Sequence, residues 1–308
     1  MISHTVRKSF CTFCLMACSC LCGTAVAQNL AADYAFLVLT TISPEFAAAN
    51  YTINNESAPD VEIAISRLPY RFDLMANNGH TLQLEVALAF QKTRQTLPTF
   101  PNENIDARWT TYGANLGLLY NWPLADHLHF TPSLRVGAAH MVNDTSFNGD
   151  QTNQFKDLFS GIDLNWQTYA LVTNLGLGLS YDWSLRDRTS HLDANVYHVL
   201  INTFRESDPA VAFSERANML TLRAELIIPT NYLIAEKRLD AVLLFGTNTF
   251  FGENRNTLGY TTSYQIGIGG EWPIHWANKQ HGYFRIGGQL LWAENMQGWL
   301  VIVGFNPG

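Results

Sequence analysis

Apolar residues in this chain recur on alternate positions over stretches far longer than an ordinary strand. After residue 27 they never gather into a run of 18 that could cross a membrane as a helix. Leu82, Leu84, Val86, Leu88 and Phe90 form one face of such a segment, and Gln83, Glu85, Ala87, Ala89 and Gln91 form the other. The pattern returns from Leu128 to Ala139, from Asn174 to Asp182, from Leu220 to Ile228 and from Tyr260 to Trp272. A soluble β-sandwich alternates as well, but its strands average about 5 to 6 residues. The segments here run about 10 to 15, and roughly 9 to 11 tilted residues cross a bilayer. Their second face carries Gly, Ser, Thr and opposed charges such as Arg223 and Glu225, which a wet or ion-paired lumen accommodates and a dry sandwich core does not. The expected fold is all-β, a transmembrane antiparallel up-and-down barrel.

Ten strands are predicted at 81–91, 109–122, 128–141, 167–183, 191–204, 218–228, 239–250, 258–272, 282–293 and 299–305. Weaker segments at 47–54 and 61–73 bring the total to twelve, an even number that puts both termini on the periplasmic side. The second weak segment loses its phase. Val61, Ile63 and Ile65 share one face while Leu68, Tyr70 and Phe72 share the other, so a bulge is expected near Ser66 to Pro69. Outside loops then fall near 92–108, 142–166, 205–217, 251–257 and 294–298, and inside turns at 123–127, 184–190, 229–238 and 273–281. The two longest connections lie outside, as outer-membrane barrels have them.

The eight tryptophans sort to strand ends. Trp122, Trp183, Trp272 and Trp276 fall at inner ends, and Trp109, Trp166, Trp292 and Trp299 at outer ends. Two aromatic belts at the lipid–water boundaries are therefore expected. Trp109 and Trp166 fall in the lumen phase of their strands, so a bulge or a loop start has to turn them outward.

Residues 1–27 have the form of an export signal, with Arg7 and Lys8 ahead of the apolar stretch Phe10 to Cys22 and Ala25-Val26-Ala27 as the cleavage pattern. All five cysteines lie between Cys11 and Cys22, so a chain cleaved after Ala27 would have no thiol chemistry. Charged residues make up only 15% of the chain, and removing Arg7 and Lys8 leaves 17 basic against 26 acidic residues. An acidic chain without a basic stripe argues against nucleic acid as a partner.

Candidate chemistry is sparse. Arg135, Arg223 and Arg285 share lumen phase with Glu85, Asp193, Glu225 and Glu271. Those charges could form a constriction that selects solutes or internal salt bridges that close the barrel, and both readings stay open. The histidines lack metal-binding spacing, and no metal or cofactor is expected. His140, near Asn143 and Asp144 at the predicted outer rim, is where a rim protease or a lipid-modifying enzyme would work. Gly176-x-Gly178 and Gly267-x-Gly269-Gly270 lie inside strands with no following helix, so they are not phosphate loops.

A twelve-strand barrel directly behind a signal peptide, with the segment Leu68-Pro69-Tyr70-Arg71-Phe72 and a closing strand ending near Phe305, resembles the solitary outer-membrane autotransporter-type β-barrel family over roughly residues 46–305. The resemblance implies domains at 1–27 (signal peptide), 28–46 (a segment whose Leu30, Tyr34, Leu37 and Val38 could form a short plug helix) and 47–308 (barrel). It implies an outer-membrane location, a structural or pore role without catalysis, and contact with outer-membrane lipid and the barrel-assembly machinery. Phe305 would be the terminal aromatic that assists insertion, three residues short of the end. A rim enzyme and a secreted ligand-binding β-sandwich are the alternatives.

Overall fold

The computed structural model describes residues 46–54, 59–154, 156, 164–185, 188–207, 209, 212–234, 236–252, 260–276 and 279–306. The predicted signal segment and the residues proposed for a plug helix lie outside the described residues. Twelve strands follow in chain order: β1 (Phe46–Ile53), β2 (Val61–Asn77), β3 (His80–Pro98), β4 (Asn104–Ala125), β5 (Leu128–Asn148), β6 (Gln167–Leu185), β7 (Arg188–Phe204), β8 (Ser214–Ile234), β9 (Lys237–Phe251), β10 (Thr262–Trp276), β11 (Lys279–Ala293) and β12 (Met296–Asn306). A short helix, α1 (Asp150–Asn153), lies between β5 and β6.

Each strand pairs antiparallel with the next, and β1 closes on β12 to complete the barrel. At that seam Tyr51 lies opposite Gly298, where an added Cβ would sit 2.3 Å from the Tyr51 Cβ and 2.4 Å from the Asn50 carbonyl oxygen. Only glycine lets the two strands meet there around the tyrosine.

The two ends of the barrel differ. At one end every link is two residues long, at 78–79, 126–127, 186–187, 235–236 and 277–278. Asn78 and Gly79, with φ of 50° and 82°, supply the paired positive φ that tight hairpins need. The other end carries the longer connections 54–60, 99–103, 149–166, 205–213 and 252–261, besides the tight link at 294–295. The tight turns are shorter than expected because the strands run on. β8 continues through the predicted turn 229–238 to Ile234, with an irregular register between Pro229 and Leu233. The predicted loop 92–108 is mostly strand.

β4 has 22 residues. At about 3.3 Å per residue it is roughly 70 Å long, well beyond the roughly 25 Å apolar band of an outer-membrane barrel even after tilting. The surplus lies at the loop end, where the outer faces of β3 and β4 turn polar at Lys92, Arg94 and Arg108. Beyond it, the Glu103 carboxylate accepts hydrogen bonds from the Thr152 amide (2.8 Å) and the Gln151 amide (3.3 Å). That contact pins the 99–103 loop to the start of α1.

The expected bulge near Ser66 to Pro69 is not there. β2 pairs with β3 without interruption from Val61 opposite Gln95 to Asp73 opposite Gln83, and its only irregularity follows Asp73. Val61 and Ile63 point inward while Leu68, Tyr70 and Phe72 point outward, all in one phase. The apolar residues change faces because the environment changes along the strand: the barrel is apolar inside near the loops and apolar outside near the turns.

A two-storey lumen as the candidate functional site

The loop-side storey of the lumen is a packed, mainly apolar core. Ile63 (β2), Trp109 (β4), Met141 (β5), Ile201 (β7), Met219 (β8) and Phe250 (β9) belong to one cluster, joined by Tyr51 from β1 and Met296 from β12. No buried member of it is more than 6% exposed. With Ala89 and Leu291 packed against it, every strand but β10 contributes, and Tyr260 fills in just ahead of that strand. Side chains of the wall therefore fill this half of the barrel as they would a soluble core. The sequence reading expected a polar lumen throughout; the loop-side half is instead mainly apolar, with Gln91, Thr93, Gln95 and Thr111 buried among the apolar side chains, and the turn-side half holds the charges beside a smaller apolar cluster of Ile227, Val242, Leu244 and Ile302.

In the turn-side storey the charges sort into clusters. Glu85, fully buried, takes a guanidinium from each of three arginines: Arg67 at 2.9 Å, Arg71 at 2.9 Å and Arg135 at 3.0 Å. Arg135 also donates to the Ser133 hydroxyl and lies over the Tyr197 ring. Further round the wall Arg285 bridges two carboxylates, donating to Glu225 at 2.7 Å and to Glu271 at 3.0 Å. Asp193 and Arg223 lie opposite each other across β7 and β8, with Arg223 4.0 Å from Glu225. A third group, Asp240 with Arg188 and Arg238, lies nearer the turns. All seven charges picked out in the sequence thus occur in this storey, in two clusters. The sequence reading leaves out Arg67, Arg71, Arg188, Arg238 and Asp240. The expected bulge obscures the lumen phase of Arg67 alone; Arg71, opposite in phase to Leu68, Tyr70 and Phe72, is on the lumen face with or without it.

Between the apolar core and the charged walls lies a cavity of about 410 Å³. Tyr51, Ile65, Leu291 and Met296 face it from the core side, and Arg67, Arg71, Arg135, Arg223 and Asp193 are on its wall. Along β2, exposure rises from 3% at Arg67 to 33% at Arg71, which is nearer the turns, so the cavity opens toward the turns on that wall.

The model of the solitary outer membrane autotransporter β-barrel domain family matches residues 48–305. The chain belongs to that family. Solved relatives in shape include the β domain of the Bordetella autotransporter BrkA, with TM-score 0.53 and 11% identity over 85% of this chain and 97% of that one. The translocator domain of the autotransporter NalP from Neisseria meningitidis gives TM-score 0.52 and 13% identity over 92% and 97%. The transport unit of AIDA-I from Escherichia coli gives 0.53 and 9% over 87% and 92%. At such identities the likeness is one of fold. No protein of curated function matches the chain.

As an outer-membrane autotransporter-type barrel, the solitary barrel has its two-residue turns on the periplasmic side and its long loops outside. Its tryptophans need correction. Trp122, Trp292 and Trp299 are 48%, 43% and 52% exposed on the outer wall, Trp183 and Trp272 are half-buried there, and Trp276 ends β10. Trp109 and Trp166, at 2% and 5%, are inside the barrel and belong to no belt. No bulge turns them outward: Trp109 pairs in unbroken register with Thr93 and Asn143, and the apolar core supplies the reason for its inward placement.

The outer boundary on β3 to β7 is marked instead by a cross-strand row the sequence reading did not assemble: Phe90, Tyr112, His140, Tyr169 and Phe204, each opposite the next. His140 belongs to this row, stacked on Tyr169 with centroids 4.4 Å apart. It is not at a rim, since β5 continues to Asn148. At the closing strand Phe305 pairs with Phe284.

Proposed function

We propose that this outer-membrane barrel works as a closed, non-conducting body with a vestibule open to the periplasm, rather than as a diffusion pore. The observation that carries this reading is the loop-side core: among the described residues Ile63, Met141, Ile201 and Met219, each fully buried, pack across that half of the lumen, where a diffusion pore would need water. The same filling argues against a wide selective constriction, so the lumen charges act as structural ion pairs and as the wall of the vestibule. Dewetted apolar constrictions are effective barriers to ions. Planar-bilayer recording of the purified full chain tests the proposal. A silent bilayer is expected, and steady single-channel steps would overturn it.

Export through removal of residues 1–27 after Ala27, and insertion by the barrel-assembly machinery reading Phe305, are part of the same proposal. Amino-terminal sequencing of the membrane-extracted protein reads the first, and loss of membrane-inserted protein in Phe305→Ala reads the second. The rim-enzyme reading lost its support when His140 was found in mid-strand, stacked on Tyr169.

A further inference from the structure

We infer that the vestibule is a binding site for a small amphipathic anion, one with a carboxylate or phosphate head and a short apolar body. The inference rests on the reading of a vestibule open to the periplasm. Its first support is charge. Arg67, Arg71 and Arg135 face a single carboxylate, Glu85, so this wall carries two uncompensated positive charges beside the cavity. Burying cations without partners is costly, and proteins place such excess where an anion completes the set.

The second support is independent of that count. Arg67 is 3% exposed, and one of its guanidinium nitrogens reaches Glu85, yet its Nε and Nη1 have no hydrogen-bond partner. The Tyr51 hydroxyl, buried on the core side of the same cavity, has none either. Two buried side chains on adjacent strands thus hold three donor groups without acceptors at a cavity wall. A planar carboxylate or a phosphate offers acceptors in the geometry a guanidinium fork matches.

The third support is shape. A cavity of about 410 Å³ lies in the range that small-molecule sites occupy. Its core side mixes apolar Ile65, Leu291 and Met296 with Asn248, Ser263 and Gln265, so a wholly hydrated anion such as inorganic phosphate would leave the apolar part of that surface uncovered. An anionic head toward the arginines and an apolar body toward the core satisfy both ends.

The test is calorimetric titration of the full-length barrel, folded in nanodiscs, with hexanoate and with hexyl phosphate. Hexan-1-ol and inorganic phosphate serve as comparators. Saturable binding near one site per barrel is expected for at least one of the two amphipathic anions. It should weaken at least about tenfold in Arg67→Gln, as the loss of a charge-assisted hydrogen bond implies. Hexan-1-ol and inorganic phosphate should each bind at least about tenfold more weakly than the better anion. Absence of saturable binding by both anions, equal binding of hexan-1-ol, equal binding of inorganic phosphate, or an Arg67→Gln affinity equal to the parent's would each overturn the inference. Should Arg67→Gln fail to show heat-modifiable migration, Arg71→Gln at the mouth of the vestibule carries the same expectation. Bilayer recording separates this result from the closed-barrel reading: a conducting barrel that binds hexanoate refutes only the latter, and a silent barrel that binds neither anion refutes only the site.

Discussion

The three-to-one cluster around Glu85 makes an asymmetric prediction. Replacing Glu85 with Gln keeps the shape and removes the only negative charge that Arg67, Arg71 and Arg135 share. Two of those pairs are shielded, with both partners at most 3% exposed, while Arg71 at 33% is screened and is discounted. At an effective dielectric of about 20 each close pair is worth roughly 4 kcal/mol of gross attraction, about 8 for the two. Relief of carboxylate desolvation returns part of that, and a net loss of about 3 to 5 kcal/mol is expected, as for other broken buried ion pairs. Arg67→Gln removes one attraction but also the repulsion from two neighbouring arginines and the desolvation of one cation. Its net effect should stay within about 1 kcal/mol. The assay is urea unfolding of the vesicle-folded barrel, followed by tryptophan fluorescence and by heat-modifiable migration. Equal losses in the two variants would refute the claim that the cluster is over-supplied with positive charge.

Three further outcomes follow from the same geometry. In single-tryptophan variants, lipids brominated on their acyl chains should quench Trp292 and Trp299 and leave Trp109 and Trp166 nearly untouched, because the latter pair is inside the wall. Gly298→Val should cut the yield of folded barrel severely, since its Cβ would meet Tyr51 at 2.3 Å, whereas Gly288→Ala, whose Cβ finds its nearest neighbour at 3.9 Å, should fold normally. At the loop end, burial alone would raise the Glu103 carboxyl, but the hydrogen bonds from Thr152 and Gln151 outweigh it and hold its pKa below the usual value. A lowered folded-state pKa means that the loop contact is present above the ordinary glutamate range near 4.3 and is lost as pH falls through the lowered value. Proteolysis between α1 and β6 should therefore accelerate on acidification, and Glu103→Gln should show the acid rate already at neutral pH.

The barrel itself was legible because its signal is periodic. Leu82 to Phe90 needs only alternation to be placed, and loop length alone separates the two ends. The interior was harder to read for a physical reason. Alternation assigns a residue to a face but says nothing about what the face touches, and here the contact changes along the strand. Val61 and Ile63 look like lipid-facing residues that slipped phase, yet they are core residues beneath the outer loops. Trp109 looks like a misplaced belt tryptophan for the same cause. Once apolar residues are allowed inside the loop-side half, β2 needs no bulge there, and Arg67 falls into the lumen with Arg71, beside Glu85. The pairing of Arg285 on β11 with Glu225 on β8 reaches across two intervening strands, and no local spacing carries it.

The most direct test of a lumen sealed outside and open to the periplasm is thiol accessibility. In a chain whose five native cysteines are replaced, Asn195→Cys places one thiol on the vestibule wall. A maleimide too bulky for general porins, added to intact cells, should leave that thiol unlabelled, and opening the periplasm should label it. Labelling from outside in intact cells, at the rate seen after the periplasm is opened, would contradict the account.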